Sequence, residues 1–539
     1  MISICLPRDK TARTIMLLLV PSILILTIIP QNAAADGTQQ VNASEILENI
    51  TRGDPVYVNN NSIIVGDLDV SKIWNYLEIV QKGDIKWRVV ESSIEIRDST
   101  IQGNVNFNPI YFNDTVEFKN VTFEGSTSFY NATFNKQPDF QKSSFKDLAD
   151  FSHATFNGGA HFFETKFNEA RFWNATFNKP TFFHFSTVYG DAVFDNTFFN
   201  KSADFTHFVV ERDATFDNAT FNDSVDFNLS TFNELAWFKD ANFNGSADFL
   251  GVNFNGRVNF EDTKFNAPVN FIQATFSDTT VFQNTVFNTA AYFILARFKD
   301  RTYFTGAVFN DSVDFSEADI FQTMKINWNQ LDGKLVYNDY FYQVLIRNFE
   351  TLGQSDDWRD AYYEYHVERG KRIDTSSIRG LIRKVADCLL YIFCGYGVKP
   401  SRPLGLAFVF ILSFAGIYWA IKVEDRWKKL CEFVKEKWKR LLDFIKGPIM
   451  SKEDEKPDAD SSLEDRKKGL WERFKDWLLC ALPFIYLSVG IFTTLGLLDS
   501  KKIVEDHQPW FSIFVILEVF LGWILMTLFV ISLTLTYIK

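Results

Sequence analysis

The sequence predicts a mainly β solenoid built of four-sided coils, followed by an α-helical transmembrane domain. Three observations predict it. Over residues 106–321, phenylalanine recurs at gaps that alternate between five and six, so the unit is eleven residues. The residues between these phenylalanines are small or turn-forming (Ala, Ser, Thr, Gly, Asn, Asp) rather than helix-forming. Beyond residue 400 the chain changes to long apolar runs divided by one densely charged loop.

A fixed short period names an architecture before local propensities do. Phe227, Phe232, Phe238, Phe243, Phe249, Phe254, Phe260 and Phe265 are consecutive beats. A helix of this unit would carry poor helix formers and lack a solvated Glu/Lys face. A chain that bends every five or six residues instead closes a coil in four sides, about 22 residues. Stacked coils set each phenylalanine over its counterpart, so ladders fill the bore while backbone hydrogen bonds run from coil to coil. At roughly 4.8 Å per coil, the nine to ten coils of this stretch make a rod of roughly 45 Å. Pairs such as Ala247-Asp248-Phe249 with Asn253-Phe254, and Val225-Asp226-Phe227 with Thr231-Phe232, resemble the pentapeptide-repeat proteins, in the subset centred on Phe. The resemblance implies a right-handed quadrilateral β-helix. It implies no single function, since that family includes scaffolds, DNA mimics and appendages of other domains.

From the amino terminus, 539 residues call for two or more domains. With 55 basic against 67 acidic residues, the formal charge of -12 argues against nucleic acid as a partner. The 58 phenylalanines explain the 17% aromatic content, which reports the repeat rather than a cofactor pocket, so no cofactor is expected. Residues 1–35 read as a signal peptide: Arg8, Lys10 and Arg13, an apolar core over 15–29, then Ala33-Ala34-Ala35. An uncleaved anchor is the alternative, and both put the next domain outside the cytoplasm. None of the five cysteines lies in 36–387, which leaves neither a disulfide scaffold nor a zinc site there.

Residues 36–105 are expected to form an N-terminal cap and the first irregular coils. Stretches 62–70 and 93–101 are β-rich, and 44–50 suits a short helix over the open end. Thirteen Asn-x-Ser/Thr sequons lie between Asn42 and Asn310, among them Asn131, Asn174, Asn218, Asn228 and Asn244. They are candidate N-glycosylation sites of an exported rod, although a repeat of Asn, Ala, Ser and Thr also writes sequons by chance. Of the repeat's His153, His161, His184 and His207, His161 and His184 sit beside Phe162 and Phe183, one coil apart. Without a carboxylate or cysteine cluster they read as surface residues, and no metal is expected.

Residues 322–400 read as a helical C-terminal cap and juxtamembrane segment. Helices are expected at 337–349 and 356–371 with a break at 352–354; Tyr342, Leu345, Ile346 and Phe349 suit sealing the rod. Residues 357–365 mix aromatic and charged side chains, but no nucleophile with a base, phosphate loop or metal pair is written there, so no enzyme is expected.

A transmembrane helix is expected at 401–421, where 404–421 carry no charge. The amphipathic 380–398, with Arg379, Arg383 and Lys384, suits the membrane interface. The loop 422–476 holds sixteen Lys/Arg and fourteen Asp/Glu, led by an amphipathic helix through Trp427, Leu430, Val434, Trp438, Leu441 and Ile445. Apolar segments follow at 477–498 and 509–539. A basic loop belongs in the cytoplasm, giving a multi-pass cell-membrane protein with the repeat domain extracellular.

The run Tyr486-Leu487-Ser488-Val489-Gly490-Ile491-Phe492-Thr493-Thr494-Leu495-Gly496-Leu497-Leu498-Asp499 resembles the pore helix and filter of the two-transmembrane potassium-channel pore domain. Residues 511–537, with Glu518, Gly522 and Trp523, resemble its inner helix. The resemblance implies filter-like roles for Thr493, Thr494, Leu495, Gly496 and Asp499, candidate pore-lining roles for Glu518 and Gly522, and a homo-oligomer. Leu497-Leu498 stand where Tyr-Gly is expected, and leucine takes the glycine conformation only at a cost, so selectivity for potassium is not implied. Two functions follow as expectations. One is a degenerate ion-channel-like pore conducting cations, with the β-helix as sensing or protein-binding domain. The other is a non-conducting, membrane-anchored surface rod that binds proteins or the cell envelope.

Overall fold

A computed structural model describes residues 39–82, 85–420 and 509–537, together with positions 436, 485, 488 and 489. The phenylalanine stretch winds as the period predicts. One coil carries strands Asn242–Phe243, Ala247–Asp248, Asn253–Phe254 and Val258–Asn259, one per face. Each pairs in parallel with the strand 22 residues on: Asn242 with Lys264, Ala247 with Val269, Asn253 with Thr275 and Val258 with Thr280. The solenoid has about thirteen turns, counted on the face that runs from Gln40–Asn42 to Asp319–Ile320.

It therefore begins well ahead of the phenylalanine beat. In the early coils Ile64 and Ile101 occupy the column that Phe123 continues, and Val58 and Ile96 the column that Phe118 continues. Aliphatic residues fill the same buried positions, so the coils persist where the Phe signature does not. The irregularity expected over 36–105 is a 3-10 segment, Val70–Tyr76, and one antiparallel hairpin between Glu78–Lys82 and Ile85–Val90.

The core consists of aromatic ladders. Along one face Phe227, Phe249 and Phe271 stack with centroids 5.0 and 4.8 Å apart, and along another Phe238 and Phe260 stack at 4.8 Å. Between ladders the rings meet edge to face, as Phe238 meets Phe249 at 5.8 Å and 88°. Both are favoured aromatic geometries. Where Val188 and Val210 interrupt a ladder, the extra buried Phe208 packs against Phe183, Phe194 and Phe205 and restores the lost volume.

The alternation of five and six has a backbone cause. Apart from those that begin at Phe107 and Phe167, the five-residue steps start with a turn whose third residue has positive φ: Asn131 at 55°, Asn218 at 56°, Leu229 at 58°. The Phe129 carbonyl accepts from Ala132 N–H at 3.0 Å, and the Phe227 carbonyl from Ser230 N–H at 3.1 Å, the closure of a type II turn. The six-residue steps bend without that conformation and need one more residue. Buried hydroxyls then satisfy the carbonyl of the coil before, as Thr263 Oγ1 does to Phe238 O (2.6 Å) and Thr285 Oγ1 to Phe260 O (2.7 Å).

Helices close both ends. Helix α1 (Ala43–Arg52) buries Ala43, Ile46, Leu47 and Ile50 over the first coil and ends at Gly53 in the left-handed region, φ 75°. At the far end lie α2 (Trp328–Leu331), α3 (Asp339–Leu352) and α4 (Ser355–Lys371). Phe341 of α3 stacks on Phe315 at 4.8 Å and so extends a ladder out of the solenoid. The buried Asn348 amide exchanges two bonds of 2.8 Å with the Met324 backbone, in place of the next strand. Of the apolar face expected on this helix, Tyr342, Leu345 and Phe349 are buried and Ile346 is partly buried.

Three further helices follow: α5 (Ile378–Cys394), α6 (Ser401–Ala420) and α7 (Pro509–Tyr537). Within α7, residues Ile513–Leu535 form a helix of 23 residues, mean hydropathy 2.6, long and apolar enough to cross a membrane. Helices α6 and α7 meet through Phe414 and Val515.

Candidate binding surface and helical joint

Inward residues are used up by the core, so any recognition by the rod falls to its outward columns. One corner column mixes apolar and polar side chains: Phe185, Leu229 and Leu295 hold its positive-φ position, 51%, 51% and 45% exposed, with His207, Gly251 and Gln273 on the turns between them. Beside this corner runs the outward column Asp204, Asp226, Asp248, paired in register. Each carboxylate accepts from the backbone N–H two residues on: Thr206 (2.9 Å), Asn228 (2.8 Å) and Leu250 (3.1 Å). These are Asx-type bonds that fix the corner. Burial, then the charges of Asp248 and Asp204, push the Asp226 carboxyl above the usual range. At the upper end of the column, His184 Nδ1 lies 3.3 Å from Asp204 Oδ2.

The four histidines of the repeat do not converge. One side of the solenoid drops a residue between the Phe145 and Phe167 turns, so the coil there is 21 residues. His161 packs on Phe182 and His184 on Phe163, in neighbouring columns; 23 residues apart, they match neither this coil nor the regular one of 22. Among the described residues, no group of three or more His, Cys, Asp or Glu is placed to hold a metal ion.

A second corner carries an asparagine ladder. From Asn178 to Asn310, each Nδ2 donates to the Oδ1 of the asparagine one coil earlier, at 2.6–2.8 Å. Asn244, a candidate glycosylation site, is one rung. Asn218 donates to Asn196 (2.6 Å), Asn228 to Asp248 (3.3 Å), and the Asn174 amide pairs with His153 Nδ1 (2.8 Å). Asn131 sits at a turn beside the exposed ring of Tyr130.

The cap joins the apolar helices through a cationic and aromatic cluster. Arg402, near the start of α6, donates to the Tyr363 hydroxyl of α4 at 3.1 Å and to the Tyr391 carbonyl of α5. Its guanidinium lies 4.8 Å over the Tyr391 ring, and the Lys399 ammonium 3.8 Å over Tyr363. Tyr396 donates to Asp387 (3.0 Å) and stacks on His366 at 5.1 Å. Burial, then Arg369, holds the His366 imidazole below its ordinary pKa. Sequence reasoning marked the aromatic run 357–365 but not its partner Arg402, whose only sequence signal is a cation at the threshold of an apolar helix.

Thr493, Thr494, Leu495, Gly496 and Asp499 lie outside the described residues. Glu518 is buried and accepts from the Ser488 hydroxyl, and Gly522 is buried in the same helix. The eight ladder phenylalanines, Phe227 through Phe265, are all in the core.

Comparison with known families decides what the coils are. The family model described as pentapeptide repeats matches in nine copies, over residues 140–187, 205–252, 227–275 and 271–319. The matched part of the rod is made of pentapeptide repeats. No curated protein and no solved structure matches the chain. The matched residues begin at 140 and end at 319, so the match covers neither the first coils, nor the cap, nor the apolar helices.

Proposed function

We propose that this chain is a membrane-anchored pentapeptide-repeat rod whose outer faces bind a protein or envelope partner. The observation that carries the reading is the joint: Arg402 ties the apolar helix it begins to Tyr363 of the rod's cap. Support comes from α7, only 22% of whose apolar span is buried, whereas the core helix of a soluble domain would be covered. The basic loop 422–476 favours the cytoplasm for that side, and the signal-like 1–35 favours export of the rod. The outward column that presents Phe185, His207 and Leu229 beside the carboxylates of Asp204, Asp226 and Asp248 supports protein binding over catalysis. Alkaline washing of membranes tests the anchor. The full chain should stay in the pellet, and cleavage within 372–377 should release a soluble rod. Release of the intact chain by the wash would sink the reading.

A second reading is a degenerate cation pore assembled from several copies. The Ser488–Glu518 contact favours it, because it sets part of 477–498 against the last helix, as a pore helix lies against an inner helix. Membrane-impermeant thiol labelling at Cys431 and at Ser500→Cys, each with the other cysteines replaced, separates the two readings. Reaction from one side means that 477–498 dips and returns. Reaction from opposite sides means that it crosses, and the pore reading ends.

A further inference from the structure

The thirteen sequons divide by what their side-chain nitrogen is doing. N-Glycosylation replaces one of the two hydrogens on Nδ2 with a sugar, so a nitrogen held against the next coil by its other hydrogen must still find room there for a bulky substituent. In nine sequons Nδ2 is already bonded to an adjacent coil. Asn200, Asn222, Asn244 and Asn310 donate along the asparagine ladder, at 2.7–2.8 Å. Asn218 donates to Asn196 and the Asn174 amide pairs with His153. The other three donate to Glu91, Asp98 and Asp248. Stacking adds a steric limit. Asn200, Asn222 and Asn244 are consecutive rungs, roughly 4.8 Å apart, and a pyranose with its equatorial substituents is wider than that.

Four sequon asparagines keep Nδ2 without a hydrogen bond among the described residues: Asn42, Asn49 and Asn60 around the amino-terminal cap, and Asn131 on the rod. Asn131 is a turn residue at φ 55°. The coil-to-coil neighbour of its turn is His153, whose ring meets Tyr130 edge-on at 5.2 Å and whose Nδ1 is turned to Asn174. The Tyr130 ring, 44% exposed, offers the apolar face of a first sugar a surface to stack on.

We propose that Asn131 is the N-glycan attachment site on the side of the rod, and that the ladder sequons stay unmodified in the folded protein. The proposal rests on export of the rod. Sugar transfer to the unfolded chain does not alter it, because a chain modified on a rung has lost the ladder geometry on which neighbouring coils are set. The sequence alone makes Asn131, Asn174, Asn218, Asn228 and Asn244 equivalent; the structure separates the first from the rest.

Intact-glycopeptide mass spectrometry of the full chain, purified from its native membranes, tests this. A glycan is expected on the Asn131 peptide and none on those of Asn200, Asn222 and Asn244. Asn131→Gln should remove that glycan, while Asn244→Gln should leave the glycan mass unchanged. Modification of a ladder rung in the folded, extracted chain overturns the proposal. An impermeant amine label applied to intact cells distinguishes the two ways of failing. A labelled rod with bare Asn131 overturns the glycan assignment alone, whereas an unlabelled rod overturns export and the assignment with it.

Discussion

Within the rod each buried phenylalanine is held by rings above, below and beside it, whereas α5, α6 and α7 touch one another through few side chains and leave most apolar surface uncovered. The contrast shows where each part finds its stability. A coil needs only the next coil, so the rod completes its own core, and a helix or two closes each end. Among the described residues the three helices have no such neighbour, and exposed apolar faces of that size call for a different medium or for further partners.

Removing a rung tests the first half of the contrast most severely. Phe249→Ala should destabilise the rod by about 3–5 kcal/mol, since its ring is fully buried. Phe185→Ala at the exposed corner should change stability by no more than about 0.5 kcal/mol. Chemical denaturation of the detergent-solubilised chain measures both, and similar losses would contradict the ladder as the source of stability. Next in size is the cap. Asn348→Ala leaves the Met324 N–H and carbonyl unpaired and should cost about 2–4 kcal/mol. Hydrogen exchange should rise first in the coils nearest residue 324 and not near residue 130.

The joint comes third. Arg402→Ala removes a charged donor from two partners, about 1.5–3 kcal/mol locally, and should raise exchange over 391–402 without touching the coils. A smaller effect of opposite sign is expected at the turns. Leu229→Gly relieves a left-handed leucine and should stabilise by about 1 kcal/mol, read as a rise in melting temperature. The smallest concerns charge. Burial, then Asp195, raises the Asp217 carboxyl to about 6. The folded state therefore holds a proton that the unfolded state has released, and stability falls as pH rises from about 4 through 6. Asp217→Asn, which keeps the acceptor for Lys239 N–H, should flatten that slope and gain on the order of 1 kcal/mol at pH 8, discounted for partial exposure. An unchanged pH profile would show that this corner is better solvated than its packing implies.

How much was legible follows the same division. Over 106–321 one residue type marks most of the ladder positions, so period, coil and core could be read directly. Between residues 40 and 105 the first coils were expected only from β-rich stretches, because Ile64, Ile96 and Ile101 do the work of phenylalanine without its signature. The one-residue deletion near Phe167 was visible as a gap of five, yet its consequence, which seats His161 on Phe182 and His184 on Phe163, needs the stacked geometry. Asn348 and Phe341 were missed because a side chain that imitates a strand, and a helical ring that continues a ladder, obey no sequence period. The binding corner was missed for a related reason: Phe185, Leu229 and Leu295 look scattered in the sequence and align only when coiled. In the helical part, 401–420 and 509–537 were legible from hydropathy and 378–394 from its amphipathic pattern. Hydropathy does not write partners, so the Arg402 clasp and the Ser488–Glu518 contact required the structure.

The most direct test of an anchored, exported rod uses the absence of cysteine from 36–387. A single Ser312→Cys at a half-exposed corner of the rod, with Cys431 as the only other thiol, is treated in intact cells with a membrane-impermeant maleimide. The account predicts that position 312 is labelled at once and Cys431 only after the cells are opened. Labelling of Cys431 with position 312 protected would put the rod in the cytoplasm and contradict it.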